Sequence, residues 1–357
     1  MGPFLLRAIR KRIAKGRNPM KTTKREYYLS LVMGFALGAF ACTPAQGQGG
    51  VESPEGETGE AKEAMSEGKG PITDTHMHLW DTKREIRWPT EKFTRLYRDV
   101  FPADYKAVAE PVGITGAGIV EASDVWEDQL WVLDQVLGDP YFKFYAAMLE
   151  VGAKDFEEKL NKLLENDLVV GIRGFFWAPT LTVDAKQVAH CKILAEKGLT
   201  LDIISRGDQS KNPQNPKAKV IELARAVPNL KIIIDHLAGA FGEKPNEQWV
   251  KDIQELAKNE NVYIKFSSFF DMFNTTGGEE EPWDSPGDLA AYKPHFDVLF
   301  EAFGPDRMIW GSNWPIVEMG GTIEKQVSLA EEYLEPLGKE ARDNVMNENA
   351  LSFYKRD

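Results

Sequence analysis

Asp74-Thr75-His76-Met77-His78-Leu79-Trp80 sets two imidazoles two residues apart in a short apolar run that opens at Ile72. Side chains alternate between faces along a strand, so this spacing predicts Asp74, His76 and His78 on one face and Thr75 and Met77 on the other. Two such imidazoles lie about 7 Å apart, within reach of one metal ion or one polarised carbonyl. The chain has only five histidines. An H-x-H pair alone is a weak motif, and its weight comes from what surrounds it.

Downstream, β-branched runs alternate with amphipathic stretches. The runs predict eight strands: 72–80, 114–121, 142–149, 169–176, 199–205, 231–237, 262–268 and 308–314. Between them Phe156/Leu160/Leu163/Leu164 and Val220/Leu223/Ala224/Val227 follow the i, i+3, i+4, i+7 spacing of one buried helix face, and Ile323/Val327/Ala330/Leu334 do so after the last strand. Repeated strand–helix units imply parallel pairing with right-handed crossovers. Eight units without a glycine-rich phosphate turn predict a closed (β/α)8 TIM barrel over residues 71–357 rather than an open sheet.

Chemistry in such a barrel gathers at the carboxyl ends of the strands. His76 and His78 end the first strand, Glu121 the second, His236 the sixth and Asn313 the eighth, with Arg173 in the fourth and Lys265 in the seventh. Strand parity puts His236 inward and Asp235 toward the helices. Arg173 either clamps a substrate or pairs with Glu121, and Lys265 fills either role. Trp80 and Trp314 stand at strand ends as candidate substrate-binding residues. His190 and His295 fall in helical segments and read as structural. Residues 84–98, with Trp88, Phe93 and Tyr97, form either a pocket lining or a loop packed on itself; residues 274–288 are a lid candidate.

Taken together, Asp74–Asp81, Gly171–Gly174, Ile234–Gly239, Val262–Ser267, Phe303–Pro315 and Asn349–Tyr354 resemble the metal-dependent hydrolase (amidohydrolase) superfamily, specifically its amidohydrolase 2 branch. That resemblance implies hydrolysis of a small cyclic ester such as a sugar lactone, with His76, His78 and His236 as catalytic or metal-ligating residues. The alternatives are a metal-dependent decarboxylase of an unsaturated or aromatic acid and a non-catalytic carbohydrate-binding lipoprotein. Two departures stand out. The strand-four and strand-five ligands common in the superfamily are missing, which argues against a binuclear centre and leaves one divalent ion, Zn2+ by its donor set, or a metal-free site. The second departure is Asn313, which occupies the position of a customary Asp and cannot take up a proton. Glu121 is then the expected general base, with Asp271 second.

Before the barrel lies a leader. Residues 1–41 carry nine Lys/Arg and one Glu, and end in an apolar run too short to span a bilayer, which predicts an export signal whose true start is Met20. Cys42 after Ala39-Phe40-Ala41 resembles a bacterial lipobox, predicting a membrane-anchored lipoprotein facing the periplasm or cell exterior. Thr43 after it favours outer-membrane delivery, and simple cleavage to a soluble exported form is the alternative. Residues 42–70, with six Glu against two Lys, read as an acidic flexible tether. Beyond it only Cys191 remains, so no intramolecular disulfide is expected once Cys42 is removed or acylated. Without the leader the formal charge falls from −12 to about −20, and nucleic acid is an unsuitable partner. The partner implied is a small-molecule substrate.

Overall fold

The computed structural model describes residues 70–174, 181–204, 216–274 and 282–356. Eight parallel strands follow one another in sequence order: β1 (Ile72–Met77), β2 (Ile114–Val120), β3 (Phe142–Met148), β4 (Val169–Gly174), β5 (Thr200–Ile203), β6 (Lys231–Ile234), β7 (Val262–Ser267) and β8 (Met308–Gly311). The order β1 to β8 closes on itself through Asn313 N donating to His76 O at 2.7 Å and His78 N donating to Trp314 O at 2.9 Å. The seam of the barrel is therefore sewn by the residues that carry the candidate chemistry. Every predicted strand exists, and each except β4, whose predicted end lies outside the described residues, stops short of its predicted carboxyl end.

Helices α1 (Pro102–Ala109), α2 (Trp126–Val136), α3 (Phe156–Leu163), α4 (Ala185–Glu196), α5 (Pro216–Ala226), α6 (Glu247–Ala257) and α7 (Lys293–Phe303) return the chain from one strand to the next, and α8 (Ile323–Leu334), α9 (Lys339–Asp343) and α10 (Asn349–Phe353) follow the last strand. Their starts are written locally. Asp184 accepts from Lys186 N and Gln187 N at the start of α4, Asn246 accepts from Trp249 N at α6, and Thr322 accepts from Lys325 N at α8, each satisfying an otherwise orphaned amide. One apolar face of each helix is buried, as with Phe156, Leu160 and Leu163 of α3. Burying one such side chain contributes about 1.5–3 kcal/mol.

The barrel interior has two different ends. At the amino end Phe144, Val170, Ile233 and Ile309 join Ala350, Phe353 and Tyr354 in a small separate core, so the C-terminal helix plugs the floor. Gly118 is required there, since a Cβ on it would stand 1.9 Å from the Phe144 ring. At the carboxyl end the interior is polar.

The faces of β1 differ from simple alternation. Between Asp74 and Met77 the register slips, β1 advancing three residues while β2 advances two. The extra residue turns Asp74 away from the histidines: its carboxylate accepts from Tyr105 Oη of α1 at 2.7 Å, Ser312 N at 2.7 Å and His76 N at 3.0 Å. Asp74 thus ties β1 to β8 and α1 instead of joining the interior face.

The leader, Cys42 and the tether lie outside the described residues, as do residues 175–176 at the predicted end of β4 and 275–281 of the lid candidate. Among the described residues no helix is long and apolar enough to cross a membrane.

Candidate active site

Three imidazoles meet at the mouth. The His76 ring lies 4.9 Å from that of His78 and 4.5 Å from that of His236, centroid to centroid. All three are buried, and each ring is oriented by a different neighbour.

His78 is held at both nitrogens. Its Nδ1 donates to Val120 O at 2.6 Å, and its Nε2 lies 3.0 Å from the Asn313 amide, which also contacts Ser268 Oγ at 2.7 Å. Burial, reinforced by the charge of Arg173, pushes the His78 pKa down to about 3, so the ring is neutral. With its proton on Nδ1, Nε2 is a lone pair that needs a donor. As placed, Asn313 Oδ1 faces this nitrogen and Asn313 Nδ2 donates to Ser268 Oγ; turning the amide by 180° would put its NH2 on the ring and let its oxygen accept from Ser268. Asn313 adopts a left-handed backbone, φ 59°, a conformation Asn tolerates better than most residues. Trp80 stacks against His78 at 6.4 Å, with its indole N–H committed to Arg98 O at 2.8 Å. What Trp80 offers is a ring face.

His236 follows β6 on a turn whose successive residues His236, Leu237, Ala238 and Gly239 all have positive φ, between 49° and 68°. Three of these are not glycine, and each left-handed residue costs about 1–2 kcal/mol. Parity counted from Ile233, which faces the barrel interior, puts Asp235 inward too, and the left-handed turn brings His236 in beside it. Asp235, expected among the helices, faces the histidines instead. Its Oδ1 is 3.5 Å from His76 Nδ1 and 3.3 Å from Lys265 Nζ, and its Oδ2 is 3.9 Å from Arg173 Nε. His236 Nδ1 pairs with Ser267 Oγ at 3.0 Å.

Beneath the rings lies an ionic layer. Lys265 Nζ donates to Asp202 Oδ2 at 2.6 Å, to His76 Nδ1 at 3.3 Å and to Thr75 O at 3.4 Å, and Asp202 also accepts from Tyr354 Oη at 2.6 Å. Arg173 donates from Nη1 to Glu121 O at 2.8 Å. Two cations, Lys265 and Arg173, thus face two carboxylates, Asp202 and Asp235, all buried. Burial raises the Asp202 pKa despite Lys265. For Asp235, burial pushes upward but is outweighed by Lys265, His236 and Arg173, which hold it ionised. Removing one partner of such a buried network costs about 3–5 kcal/mol.

Three expectations are corrected by this geometry. Glu121 turns away from the mouth: Oε1 accepts from Ala122 N at 2.9 Å and Ser123 N at 2.8 Å, and Oε2 accepts from Tyr145 Oη. With both oxygens engaged on the helix side of β2, it does not reach the imidazoles. Trp314 also faces outward, its ring 5.4 Å from Tyr105 and its indole N–H donating to Glu318 at 2.8 Å, because it is one residue past inward-facing Asn313. The metal-type group is His76, His236 and Asp235, whose donor atoms lie within 4.8 Å of one another, rather than the three histidines. His78 Nε2 is turned to Asn313.

Two nitrogens and a carboxylate oxygen, buried and this close, fit a divalent ion. Asp202 was not singled out in the sequence and Asp235 was assigned to the helix side, although an Asp flanked by Leu201 and Ile203 in a buried strand was an available signal. Gln326 on α8 carried no signal. Its Nε2 donates to Gly311 O and Ser312 O while its Oε1 accepts from Phe269 N, linking β8 to the segment after β7. His190, stacked on Phe156 at 4.3 Å, and His295, 5.3 Å from Trp249, stay with the helices as expected. The first βα loop packs on itself, with Trp88 edge-on to both Trp80 and Phe93. A surface depression of about 450 Å³ bordered by Leu164, Lys197 and Arg356 lies near the amino ends of β4 and β5, away from this chemistry.

Comparison with known proteins shows the family and the fold. The chain is 26% identical over 301 residues to the L-fucono-1,5-lactonase of Burkholderia ambifaria, covering 80% of this chain and 95% of that one. It is 26% identical over 151 residues to the L-rhamnono-gamma-lactonase of Scheffersomyces stipitis, covering 38% of this chain and 44% of that one. A crystal structure of an amidohydrolase from Burkholderia multivorans with bound zinc superposes with a TM-score of 0.70 at 18% identity, over 81% of this chain and all of that one, which shows the shared fold. The Amidohydro_2 sequence model matches residues 73–356, from the first strand to the C-terminal plug. By the extent of that match, the chain belongs to the Amidohydro_2 family of amidohydrolases.

Proposed function

We propose that this protein is a hydrolase that opens the ring of a sugar lactone or a related small cyclic ester. The observation that carries the reading is the convergence of His76, His236 and Asp235, with Arg173 beside them, at the carboxyl mouth of the barrel. The lactonase names of the curated relatives support the substrate class.

In this reading His76 and His236 present polar hydrogens to the ester carbonyl, and Arg173 orients the substrate's oxygens. Water adds to the carbonyl carbon as its proton passes to Asp235, the carboxylate that the described residues place among the rings. The ring C–O bond then breaks, and the proton held at Asp235 returns to the departing alkoxide, giving the open hydroxy acid. His78, neutral and locked between Val120 O and Asn313, shapes the wall behind His76. His76, His236 and Asp235 are also the residues that would hold a zinc ion, which when bound supplies Lewis-acid polarisation of the carbonyl.

A panel of aldonolactones followed by acid release tests the proposal. Turnover of at least one lactone, lost in His236→Ala, is the expected result. Carbon dioxide release from an unsaturated or aromatic acid with no lactone turnover would assign the chain to decarboxylation, and saturable sugar binding without either product would make it a binding protein.

We also propose export, with the mature chain beginning at an acylated Cys42. Intact-mass measurement of membrane-extracted protein should show an acyl-bearing Cys42 terminus; a free amine at Cys42 in the soluble fraction would sink the anchor.

A further inference from the structure

Lys265 occupies an unusual place. Its ammonium is fully buried and stands 3.3 Å from His76 Nδ1 and 3.3 Å from Asp235 Oδ1, in contact with two of the three residues of the metal-type group. We propose that Lys265 is a resident cation that holds His76 in its Nε2–H form and competes with a divalent ion for the His76, Asp235 and His236 group.

An ammonium carries three donors and no lone pair, so the nitrogen it faces on a neutral imidazole must be the acceptor. Asp235 Oδ1 also stands 3.5 Å from His76 Nδ1, but the ammonium at 3.3 Å is nearer and is in hydrogen-bonding geometry with it, so the lone pair is assigned to Nδ1 and the proton to Nε2. A ring in that form donates a hydrogen bond and cannot ligate through Nε2. To ligate there, His76 would have to move its proton to Nδ1, where it would meet the ammonium donor. Asp235 would have to give its oxygen to the ion and leave Lys265. Nor can the lysine withdraw, because Asp202 grips it at 2.6 Å and Asp202 is itself anchored by Tyr354 at 2.6 Å. The Tyr354 ring also lies 5.3 Å from the ammonium and stacks on Phe144 at 4.0 Å, so the plug of the floor fixes the charge at the mouth.

Two measurements on the full chain test this, and neither uses a lactone, so its failure is separable from that of the proposed function. The first is zinc affinity by competition with a chromophoric chelator. Lys265→Met should bind zinc at least about tenfold more tightly than the wild type, the scale of removing one like charge a few ångströms away in a partly polarisable interior, and His236→Ala in the same background should abolish the gain. Unchanged or weaker zinc binding by Lys265→Met overturns the proposal. Should that variant fail to fold with two carboxylates left against one cation, Lys265→Met/Asp202→Asn restores the balance and carries the same expectation. The second measurement is the nitrogen-15 spectrum of the imidazoles in metal-free wild type, with the His76 signals identified by their loss in His76→Gln. Protonation at Nε2 is expected, and a proton on Nδ1 overturns the proposal whatever the zinc affinities.

Discussion

At the floor of the barrel, Phe144 lies flat on Tyr354 and is surrounded by Val170, Ile233, Ile309 and Phe353. At the mouth of the same barrel stand two cations, two carboxylates, three imidazoles and backbone held left-handed at His236, Leu237, Ala238, Ser268 and Asn313. Both regions are buried, and they are made of opposite materials. The floor gains stability from apolar burial and close packing. The mouth buries charge and accepts strained backbone, each of which costs stability unless every group is matched. A fold needs the first region; the second is the one that the proposed chemistry would use. The Tyr354–Asp202–Lys265–His76 chain joins them, so the C-terminal plug and the first-strand histidine belong to one connected network.

The sharpest way to break this contrast is Asp235→Asn. If the mouth exists for catalysis and Asp235 takes the water proton, lactone turnover should fall by about 10²- to 10⁴-fold, measured as kcat on whichever lactone proves competent. Retained turnover would show that the proton goes elsewhere and that Asp235 only balances Lys265 and Arg173.

The corresponding change at the floor is Phe144→Ala, which should cost about 3–5 kcal/mol in denaturant unfolding, the range for a buried aromatic truncated to a cavity. Turnover per folded molecule should fall far less than with Asp235→Asn, and an equal loss of activity would erase the distinction between the two ends.

Glu121→Gln comes next. Burial pushes the Glu121 carboxyl up to about 7 from 4.5, outweighing its bonds from Tyr145, Ser123 and Ala122. A folded-state pKa above the unfolded one means that the folded chain binds more protons between those values, so stability is fully present below about pH 4.5 and is lost as the pH rises through about 7. The shift corresponds to roughly 3 kcal/mol. Glu121→Gln should flatten that part of the stability–pH curve between pH 4.5 and 7 while leaving turnover well above the loss expected for a missing base. An activity loss as large as that of Asp235→Asn would restore Glu121 to the chemistry.

The smallest effect is expected from Ala238→Gly. Glycine relieves about 1–2 kcal/mol of left-handed strain at φ 49° but removes a buried methyl and loosens the unfolded chain, so the melting temperature should barely move. A large destabilisation would mean that the turn is held by packing of that methyl rather than by its neighbours.

The barrel was readable because it is written in local periodicities. Eight β-branched runs separated by helical faces such as Val220/Leu223/Ala224/Val227 admit few arrangements, and each element formed where the pattern put it. His76, His78, Arg173, Lys265 and Asn313 were readable as inward residues for the same reason, whereas His236 is inward through the turn that follows β6. Simple alternation broke at Asp74, where β1 slips by one residue, and at His236, which shares the interior with Asp235 only because β6 ends in a left-handed turn. For Glu121 and Trp314 it was strand position that misled, because ending a strand does not specify the face on which the side chain emerges.

What the sequence determined by itself is therefore the repeat, the face of most strand residues and the family to which the motifs belong, all properties of short segments with a fixed geometric period. Only the tertiary structure decided which partners those residues meet. Lys265 is 63 residues from Asp202, 189 from His76 and 89 from Tyr354, and no local pattern encodes such distances. They are set by barrel closure, which brings the ends of β1, β5, β6 and β7 together and lets a C-terminal tyrosine reach the interior from below. The ionisation of Asp235, the tautomer of His78 and the placing of an ammonium against the His76 ring all follow from that convergence, because burial and neighbouring charge, not residue type, set where protons reside.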